Sequence, residues 1–379
     1  YTQILYLEVY FKFRVRKFMK LFKSLLVAPA TLGLLAPMSA TANEVTINDF
    51  NPAEELAITN SRVDGLEARL NNFEAGVFSE TTTASFGVDA VLGSIDGNAN
   101  DSTTFDFQYN IGLTTSFTGE DSLDIAIDSG TATQSPSGAA MGFDSGAALS
   151  VDGVKYSFPV GDFAAFVGDS TDISDAYTGA CAYSAFHDTM SNCGTGNTVG
   201  AGGQGVTAAA SYGFDSGFSL AAGVSSPQSG IMVEESSDLV GIEAAYTADV
   251  YGVAVSYASL DNAAAADTSY WGINVAYTPD SEVIPSISVG FEIEETSGTD
   301  AEGYFLGLTW AEVGPGSASL GVGSNGNFGD AADDLLIYEA SYAYPVNDSL
   351  TITPGIFIQE TGAGADDETG LLVKSSFAF

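Results

Sequence analysis

The chain has 379 residues, with 43 glycines, 24 phenylalanines and 17 tyrosines, and only 16% of its residues are charged. Such a composition is typical of an all-β chain, and no run of 18 apolar residues offers a membrane-spanning helix. With 49 acidic and ten basic residues the formal net charge is −39, which excludes nucleic acid as a partner because like charges repel.

The first 42 residues hold six of the ten basic residues. From Met19, a basic start, a short apolar middle and Ala40-Thr41-Ala42 form the pattern of a secretory signal peptide with its cleavage site. Residues 1–18 precede this expected initiator and are interpreted as upstream sequence translated in frame or as an extended basic region. We therefore assign residues 1–42 to upstream sequence and signal peptide.

Residues 43–76 are expected to form a periplasmic linker and a helix. Asn51 and Pro52 supply a cap and a first helical residue, and apolar residues then recur at heptad spacing up to about Gly76. The seam residues are Leu56, Thr59, Val63, Leu66, Leu70 and Phe73. This pattern predicts a short coiled coil used in assembly, with a plain surface helix as the alternative.

The segment Thr103–Phe117 alternates apolar and polar side chains over fifteen residues, which indicates a long strand with two different faces. A membrane-spanning barrel strand needs this pattern over roughly 9 to 11 residues, with lipid on one side and water on the other. The pattern recurs through residues 77–379 and predicts an all-β, transmembrane antiparallel β-barrel of about 16 strands. The predicted strands are 83–93, 103–117, 122–129, 147–158, 162–168, 206–214, 218–225, 238–247, 251–260, 269–278, 284–294, 302–311, 317–324, 334–344, 349–359 and 369–379.

Aromatic residues on the apolar faces gather beside the predicted short turns, as expected for a belt at a membrane interface. The chain ends in an alternating strand that includes Phe377 and Phe379. Both ends of the predicted barrel therefore lie on the short-turn side, where this terminal strand can close the sheet during assembly.

Charged residues on the polar parity of the strands are predicted to line a water-filled interior. They are Asp89, Asp106, Asp124, Asp128, Lys155, Glu243, Glu292, Glu294, Glu339 and Lys374. Acidic rings favour cations in pores, so we expect a mild cation preference; the alternative is that these side chains only keep the interior wet.

The longest predicted loop, residues 169–205, contains the only cysteines, Cys181 and Cys193, and the only histidine, His187. In an oxidising compartment the two cysteines are expected to form a disulfide, and a loop of this length can fold inward and narrow a wide barrel. Metal binding by these three residues and catalysis by His187 are the weaker alternatives, because a fourth ligand and a nucleophile motif are missing. We expect no enzymatic activity, cofactor or metal site; acidic loops at 331–334 and 365–368 could hold Ca²⁺ or Mg²⁺ only loosely.

Three phrases carry a family resemblance: the signal peptide from Met19, the helix phrase Arg62–Arg69 with Phe78–Thr83, and the turn Tyr156–Gly161. They resemble the Som-type porins of marine cyanobacteria, within the OprB-like, carbohydrate-selective group. The resemblance implies a trimeric outer-membrane barrel that passes small solutes. Family members usually carry a surface-layer-homology domain before the helix, whereas only residues 43–51 occupy that place here.

The sequence thus predicts a passive outer-membrane porin whose partners are outer-membrane lipid, two further copies in a homotrimer, and small hydrophilic solutes and ions. One alternative is a solute-selective channel for carbohydrate or iron species. The other is a structural anchor that acts through its coiled coil.

Overall fold

The computed structural model describes residues 82–97, 102–131, 135–196, 198, 205–231, 233, 236–262, 266–281, 283–326, 328–329, 335–362 and 365–379. The predicted signal peptide and the predicted coiled coil, with its seam from Leu56 to Phe73, lie outside these residues.

The described chain forms sixteen long strands and one two-residue strand. Their bounds are β1 (Thr82–Asp96), β2 (Thr104–Thr115), β3 (Ser122–Gly130), β4 (Ser150–Val160), β5 (Phe163–Thr171), β6 (Gly205–Gly213), β7 (Phe218–Ser226), β8 (Asp238–Thr247), β9 (Tyr251–Asp261), β10 (Thr268–Tyr277), β11 (Ser286–Thr296), β12 (Thr299–Val313), β13 (Gly316–Ser324), the short β14 (Phe328–Gly329), β15 (Leu336–Asn347), β16 (Leu350–Gln359) and β17 (Glu368–Ala378).

Each long strand pairs in antiparallel fashion with its neighbours along the chain, and the last strand returns to the first. β1 pairs with β2 on one edge and with β17 on the other, from Gly87 opposite Ala378 to Asp96 opposite Thr369. The sheet therefore has no free edge, and the predicted closed barrel of sixteen strands is confirmed. The short β14 adds two residue pairs to β12 at the rim.

The alternation that predicted the strands separates the two faces of the wall. In β8, Val240 and Ile242 point outward and are 45% and 50% exposed. Glu243, the next residue along the strand, points inward and is 5% exposed. Large apolar side chains occupy outward positions in the same way around the barrel, for example Leu220, Leu306 and Ile356. The outer surface is thus an apolar belt suited to lipid.

Aromatic side chains form a belt near the short turns and the chain end. Phe86 stacks on Phe379 at 5.8 Å between ring centroids, and Phe218 lies 4.7 Å from Tyr246. Such rings tolerate both an apolar and a polar neighbour, so they mark the level where lipid meets water.

Two connections differ from the expected division into short turns and long loops. A seven-residue loop was expected between residues 294 and 302, but β11 and β12 continue to a two-residue turn of Ser297 and Gly298, both with positive φ. The strand ends here are polar on both faces, as suits a solvated rim, and hydrophobic alternation cannot detect them. At the other end of the barrel, eight residues separate the end of β10 at Tyr277 from the start of β11 at Ser286.

The described helical segments are short and belong to connections. They are α1 (Pro136–Ala140) between β3 and β4, and 3₁₀ turns at Ile173–Ala176 and Asp188–Gly194 between β5 and β6. None of the helices in the described ranges has the length and apolar character needed to cross a membrane.

Replacing Ile242 by arginine should destabilise the barrel in lipid by about 2–4 kcal/mol, because a charge would face hydrocarbon near mid-strand. Urea unfolding in lipid vesicles measures the change. Ala126 is exposed on the inner face of β3, so Ala126→Arg is the matched control and should leave stability nearly unchanged. Equal losses in the two variants would contradict the assignment of the faces.

Candidate functional site

Two connections fold into the barrel and pack against the inner face of its wall. The described part of the β3–β4 loop (131 and 135–149) brings α1 against β1 and β2, and the described part of the β5–β6 loop (172–196 and 198) runs past β7, β11, β12 and β13. Inward folding of the long loop, which the sequence left open, is therefore observed. Both loops therefore occupy part of the interior and make it narrower.

Wall carboxylates hold the β5–β6 loop by accepting hydrogen bonds from its backbone. Glu243 on β8 accepts from the N–H groups of Thr178 (2.6 Å) and Gly179 (3.1 Å). Glu292 on β11 accepts from the N–H and the hydroxyl of Thr198. Backbone N–H groups that leave water need such partners, so these acids make the inward path of the loop possible.

Glu339 on β15 makes the densest of these contacts. Its Oε1 accepts from the Tyr183 hydroxyl and the Phe186 N–H, both at 2.8 Å, and its Oε2 accepts from the His187 N–H at 2.7 Å. Three donors from one five-residue segment thus converge on one carboxylate, which fixes the tip of the loop against the wall.

The β3–β4 loop is held in the same manner. Asp128 accepts from the Ser145 hydroxyl of the loop at 2.7 Å and from the Ser150 hydroxyl at the start of β4 at 2.9 Å, and Asp106 accepts from the Ser135 hydroxyl of the loop.

Half of the predicted pore-lining residues are therefore corrected to a different position. Asp106, Asp128, Glu243, Glu292 and Glu339 face the interior but are only 1–7% exposed, because the inserted loops cover them. Strand parity gives the face of the wall on which a residue lies, whereas the path of a loop across that face is a tertiary feature. These five acids hold the loops in place and are shielded from solvent.

The other five predicted residues are half-buried on the inner side. Asp124 accepts from the hydroxyls of Thr114 (2.7 Å) and Ser122 (2.9 Å), and Asp89 accepts from the Ser376 hydroxyl. Lys155 pairs with Asp175 of the β5–β6 loop at 2.9 Å and lies 5.7 Å from the centre of the Phe166 ring. Glu294 and Lys374 are also half-buried.

Apolar packing adds to the polar anchors. Phe143 of the β3–β4 loop and Phe186 of the β5–β6 loop join a buried cluster with the inward-facing Val91, Phe357 and Leu372. A second cluster contains Tyr183, Met190 and Cys193 of the loop with Phe305 and Ile337 of the wall. Burial of a side chain of this size contributes roughly 1.5–3 kcal/mol, so the loops are firmly seated.

The two cysteines are joined in the β5–β6 loop, with 5.8 Å between the Cα atoms of Cys181 and Cys193. Cross-linking a segment of this length is worth about 3 kcal/mol in the chain-entropy model. Asn192 and Cys193 have positive φ angles of 51° and 53°, which non-glycine residues seldom adopt. The disulfide therefore helps to hold a turn that the chain would not favour unaided.

His187 has a structural place that the sequence did not reveal. Its ring packs edge-on against Phe357 at 4.6 Å between centroids, and its Nδ1 accepts from the Thr189 N–H at 3.2 Å. Burial lowers the pKa of His187 to about 4, so the imidazole is neutral at pH 7. Within the described ranges, no group of three or more His, Cys, Asp or Glu side chains is arranged to hold a metal ion.

The interior aromatic residues are also covered. Those on inward strand positions or on the inserted loops are buried or half-buried: Phe143, Phe166, Tyr177, Tyr183, Phe186, Tyr270, Phe305 and Phe357. In the described part of the chain, the exposed large aromatic side chains lie on the outer face or at the rims. The exposed part of the described inner surface is thus formed by small and polar groups.

Comparison with known structures places this fold in the class of porin-like transmembrane β-barrels. The high-pH structure of Pseudomonas putida OprB aligns with a TM-score of 0.61 at 12% identity, over 82% of this chain and 97% of that one. A mutant of the Rh. blastica porin aligns with a TM-score of 0.50 at 14% identity, over 79% of this chain and 100% of that one. At such identities the likeness shows the fold alone.

The sequence comparisons are more limited. No protein-family model matches the chain. An uncharacterized protein of Nostoc sp. is 38% identical over 112 residues, which is 28% of this chain. The match spans only 19% of that relative's length.

Replacing Glu339 by glutamine should loosen the β5–β6 loop by about 1–3 kcal/mol, because an amide nitrogen cannot accept and leaves one buried N–H unpaired. Faster reduction of the Cys181–Cys193 disulfide, or faster proteolysis within the loop, reports this release. Glu295 is exposed at the rim, so Glu295→Gln is the matched control. A loop as protected in Glu339→Gln as in the control would argue against anchoring by Glu339.

Acidification should also loosen the loop through His187. The pKa of His187 falls from 6.5 to about 4 on burial, so between these values a released loop binds a proton that the inserted loop does not. The contribution of His187 to insertion is complete above about pH 6.5 and is lost as the pH falls toward 4. Reduction of the Cys181–Cys193 disulfide by a phosphine measures how well the loop is protected. In the wild type this protection should be lower at pH 5 than at pH 7.

His187→Asn is the control, because its side-chain oxygen can still accept from Thr189 N–H but does not titrate. Burial and the nearby Asp144 raise the pKa of Asp188, which acts in the opposite direction, and Glu339 lies beside the His187 backbone. Both acids are present in wild type and variant, so the difference between the two isolates His187. Identical pH dependence in the two proteins would refute this role.

Proposed function

We propose that this protein is an outer-membrane porin, a water-filled channel for passive diffusion of small hydrophilic solutes and inorganic ions. The observation that carries the proposal is a closed sixteen-strand barrel with an apolar outer belt and a charged interior that two inserted loops narrow. Sixteen strands enclose a space too wide for side chains alone to fill. The loops reduce that space to a solute-sized path.

Partial exposure of inner charged side chains supports an aqueous path. Lys155 and Asp175 face the interior from the wall and from the β5–β6 loop, and their side chains remain 31% and 38% exposed although they form an ion pair. Charged groups at this depth in a membrane protein need water or a partner. We infer that solvent reaches them through the barrel.

A mild preference for cations follows from the interior charges. Lys155 and Lys374 are the basic residues of the barrel segment 77–379, and Lys155 is already paired with Asp175. The half-buried Asp89, Asp124 and Glu294, with Asp175 and Asp188 of the loop, leave an acidic excess toward the water-facing interior. Acidic side chains along a pore favour cation entry, and the net charge of the protein acts in the same direction.

The solute-selective alternative receives less support. A carbohydrate channel would be expected to present aromatic surfaces among the polar groups of its binding site, and the interior aromatic residues described above are buried or half-buried. The phrases that resemble Som-type porins and the short match to the Nostoc protein support kinship with the cyanobacterial family. Neither assigns a sugar or an iron species to this chain.

The assignment of domains and the assembly are part of the same proposal. Residues 77–379 form the porin domain in the outer membrane, Phe377 and Phe379 complete its terminal strand, and residues 43–76 extend into the periplasm after removal of the signal peptide. The heptad seam would join three copies into a homotrimer. The structural-anchor alternative uses the same seam but needs no open channel.

Purified protein in a planar bilayer should form ohmic channels, and a KCl gradient should give a reversal potential of the sign for cation preference. Asp124→Asn should reduce this preference and Lys374→Gln should increase it, since the two changes remove opposite charges from the interior. Absence of channels from folded protein would favour the structural anchor. A clear anion preference would contradict the charge argument while leaving the channel itself in place.

Exposed Asp215 lies in the short turn between β6 and β7, so Asp215→Asn changes the net charge equally and is the matched control. It should leave the reversal potential close to the wild-type value, because screening by salt weakens distant charges. A shift as large as that of Asp124→Asn would show that overall charge, and not the interior, sets the preference.

A further inference from the structure

The β5–β6 loop lies on a track of inward-facing glycines. Six of them, which we call the wall glycines, sit on strands from β8 to β16 directly beneath atoms of the loop. They are Gly241, Gly272, Gly290, Gly307, Gly321 and Gly355. A glycine presents bare backbone, so another segment can approach it more closely than any other residue.

The spacing at these positions leaves no room for a methyl group. A Cβ atom on Gly355 would stand 2.5 Å from the Phe186 ring, and one on Gly321 would stand 2.6 Å from the Tyr183 hydroxyl and 2.8 Å from the end of Met190. A Cβ atom on Gly290 would overlap the backbone carbonyl of Cys193. Non-bonded carbon contacts need about 3.5–4.0 Å, so the loop would have to leave the wall.

The contact at Gly290 is the least able to yield. Its neighbour is a backbone carbonyl, and that backbone belongs to Cys193, which is fully buried and tied to Cys181. At Gly355, by contrast, the neighbour is the ring of Phe186, which is itself packed in a buried cluster, so a methyl group there would act on the loop through that side chain. A methyl group at Gly290 would therefore move the loop itself.

The glycines beneath the loop differ from those on the opposite wall. Gly112 of β2 also lies on the inner face, but a Cβ atom there would meet only the Ser85 hydroxyl of the neighbouring strand β1. Close approach to the β5–β6 loop thus coincides with the strands that the loop covers. This indicates that the wall glycines form a surface on which the loop packs closely, which we call the seat of the loop. It does not indicate a general need for small residues inside the barrel.

We propose that the wall glycines are specificity-determining residues, because they fix how far the β5–β6 loop projects into the channel and thereby set the largest solute that passes. This inference rests on the proposed channel function. Glu243, Glu292 and Glu339 keep the loop inside the barrel, while the wall glycines let it lie flat. A side chain added beneath the loop would therefore push the loop further into the channel and make the channel narrower.

The test compares Gly290→Ala with Gly213→Ala. Gly213 also lies on the inner parity, at the end of β6, and a Cβ atom there would meet nothing within 4 Å. Gly290→Ala should lower the single-channel conductance and slow the entry of polyethylene glycols near the size limit, and Gly213→Ala should leave both at wild-type values. A Gly290→Ala channel of equal or larger conductance would overturn the proposal.

A second pair of variants covers a failure of Gly290→Ala to fold. Gly355→Ala should narrow the channel, and Gly355→Ala combined with Phe186→Leu should restore it, because the smaller side chain frees the space that the methyl group takes. A role in folding alone predicts no such recovery of conductance. Narrowing that persists in the double variant would count against the proposal.

A distance measurement separates this inference from the channel itself. Spin labels at exposed Thr189 of the loop and exposed Ala126 of the opposite wall should come closer in Gly290→Ala than in Gly213→Ala. A shorter distance in a protein without channels would defeat the proposed function but leave the seat of the loop intact. An unchanged distance together with unchanged conductance would defeat the seat of the loop alone.

Discussion

The structure depends on one constraint: within hydrocarbon, every backbone N–H and C=O group must find a partner in the protein. A sheet meets this demand only when its last strand pairs with its first, as β17 does with β1 over ten residue pairs. A closed barrel has an inner and an outer face, and because side chains alternate along a strand, each residue lies on one face or the other. The exposed Ile242 and the buried Glu243, adjacent in β8, show the consequence for neighbouring residues.

The same demand recurs inside the barrel, where the β5–β6 loop carries irregular backbone away from bulk water. Its N–H groups at Thr178, Phe186 and His187 are paired with carboxylates of the wall. Non-helical backbone at membrane depth is tolerated where protein or a water-filled cavity satisfies it. The acids that parity alone places in a pore therefore do a different task, and the open side of the interior is left to residues such as Asp124 and Lys155.

Both polar and apolar contacts hold the β5–β6 loop against the wall. Glu339 gathers three donors, whereas Phe186 and Met190 enter apolar clusters and the Cys181–Cys193 bond limits the freedom of the released chain. Burying a carboxylate costs desolvation free energy, so such groups favour one arrangement of the loop more than they add to stability. Burial of apolar side chains supplies the driving force, and the wall glycines allow that burial without filling the barrel.

The alternation of apolar and polar residues predicted the class of fold and the sixteen long strands, with each bound within three residues of the observed one, because alternation is a local property that each strand carries in full. β8 was predicted at residues 238–247 and is found there, while the polar extensions of β11 and β12 to Ser297 and Gly298 escaped a method that reads apolar spacing. The pairing of the only two cysteines could also be expected from the compartment. Which inward residues are exposed depends instead on the path of the loops, since Glu292 and Asp124 both lie on the inner face and differ in whether a loop lies over them. That loop reaches partners such as Glu339, more than 150 positions further along the chain, and no local pattern encodes a contact made across an enclosed space.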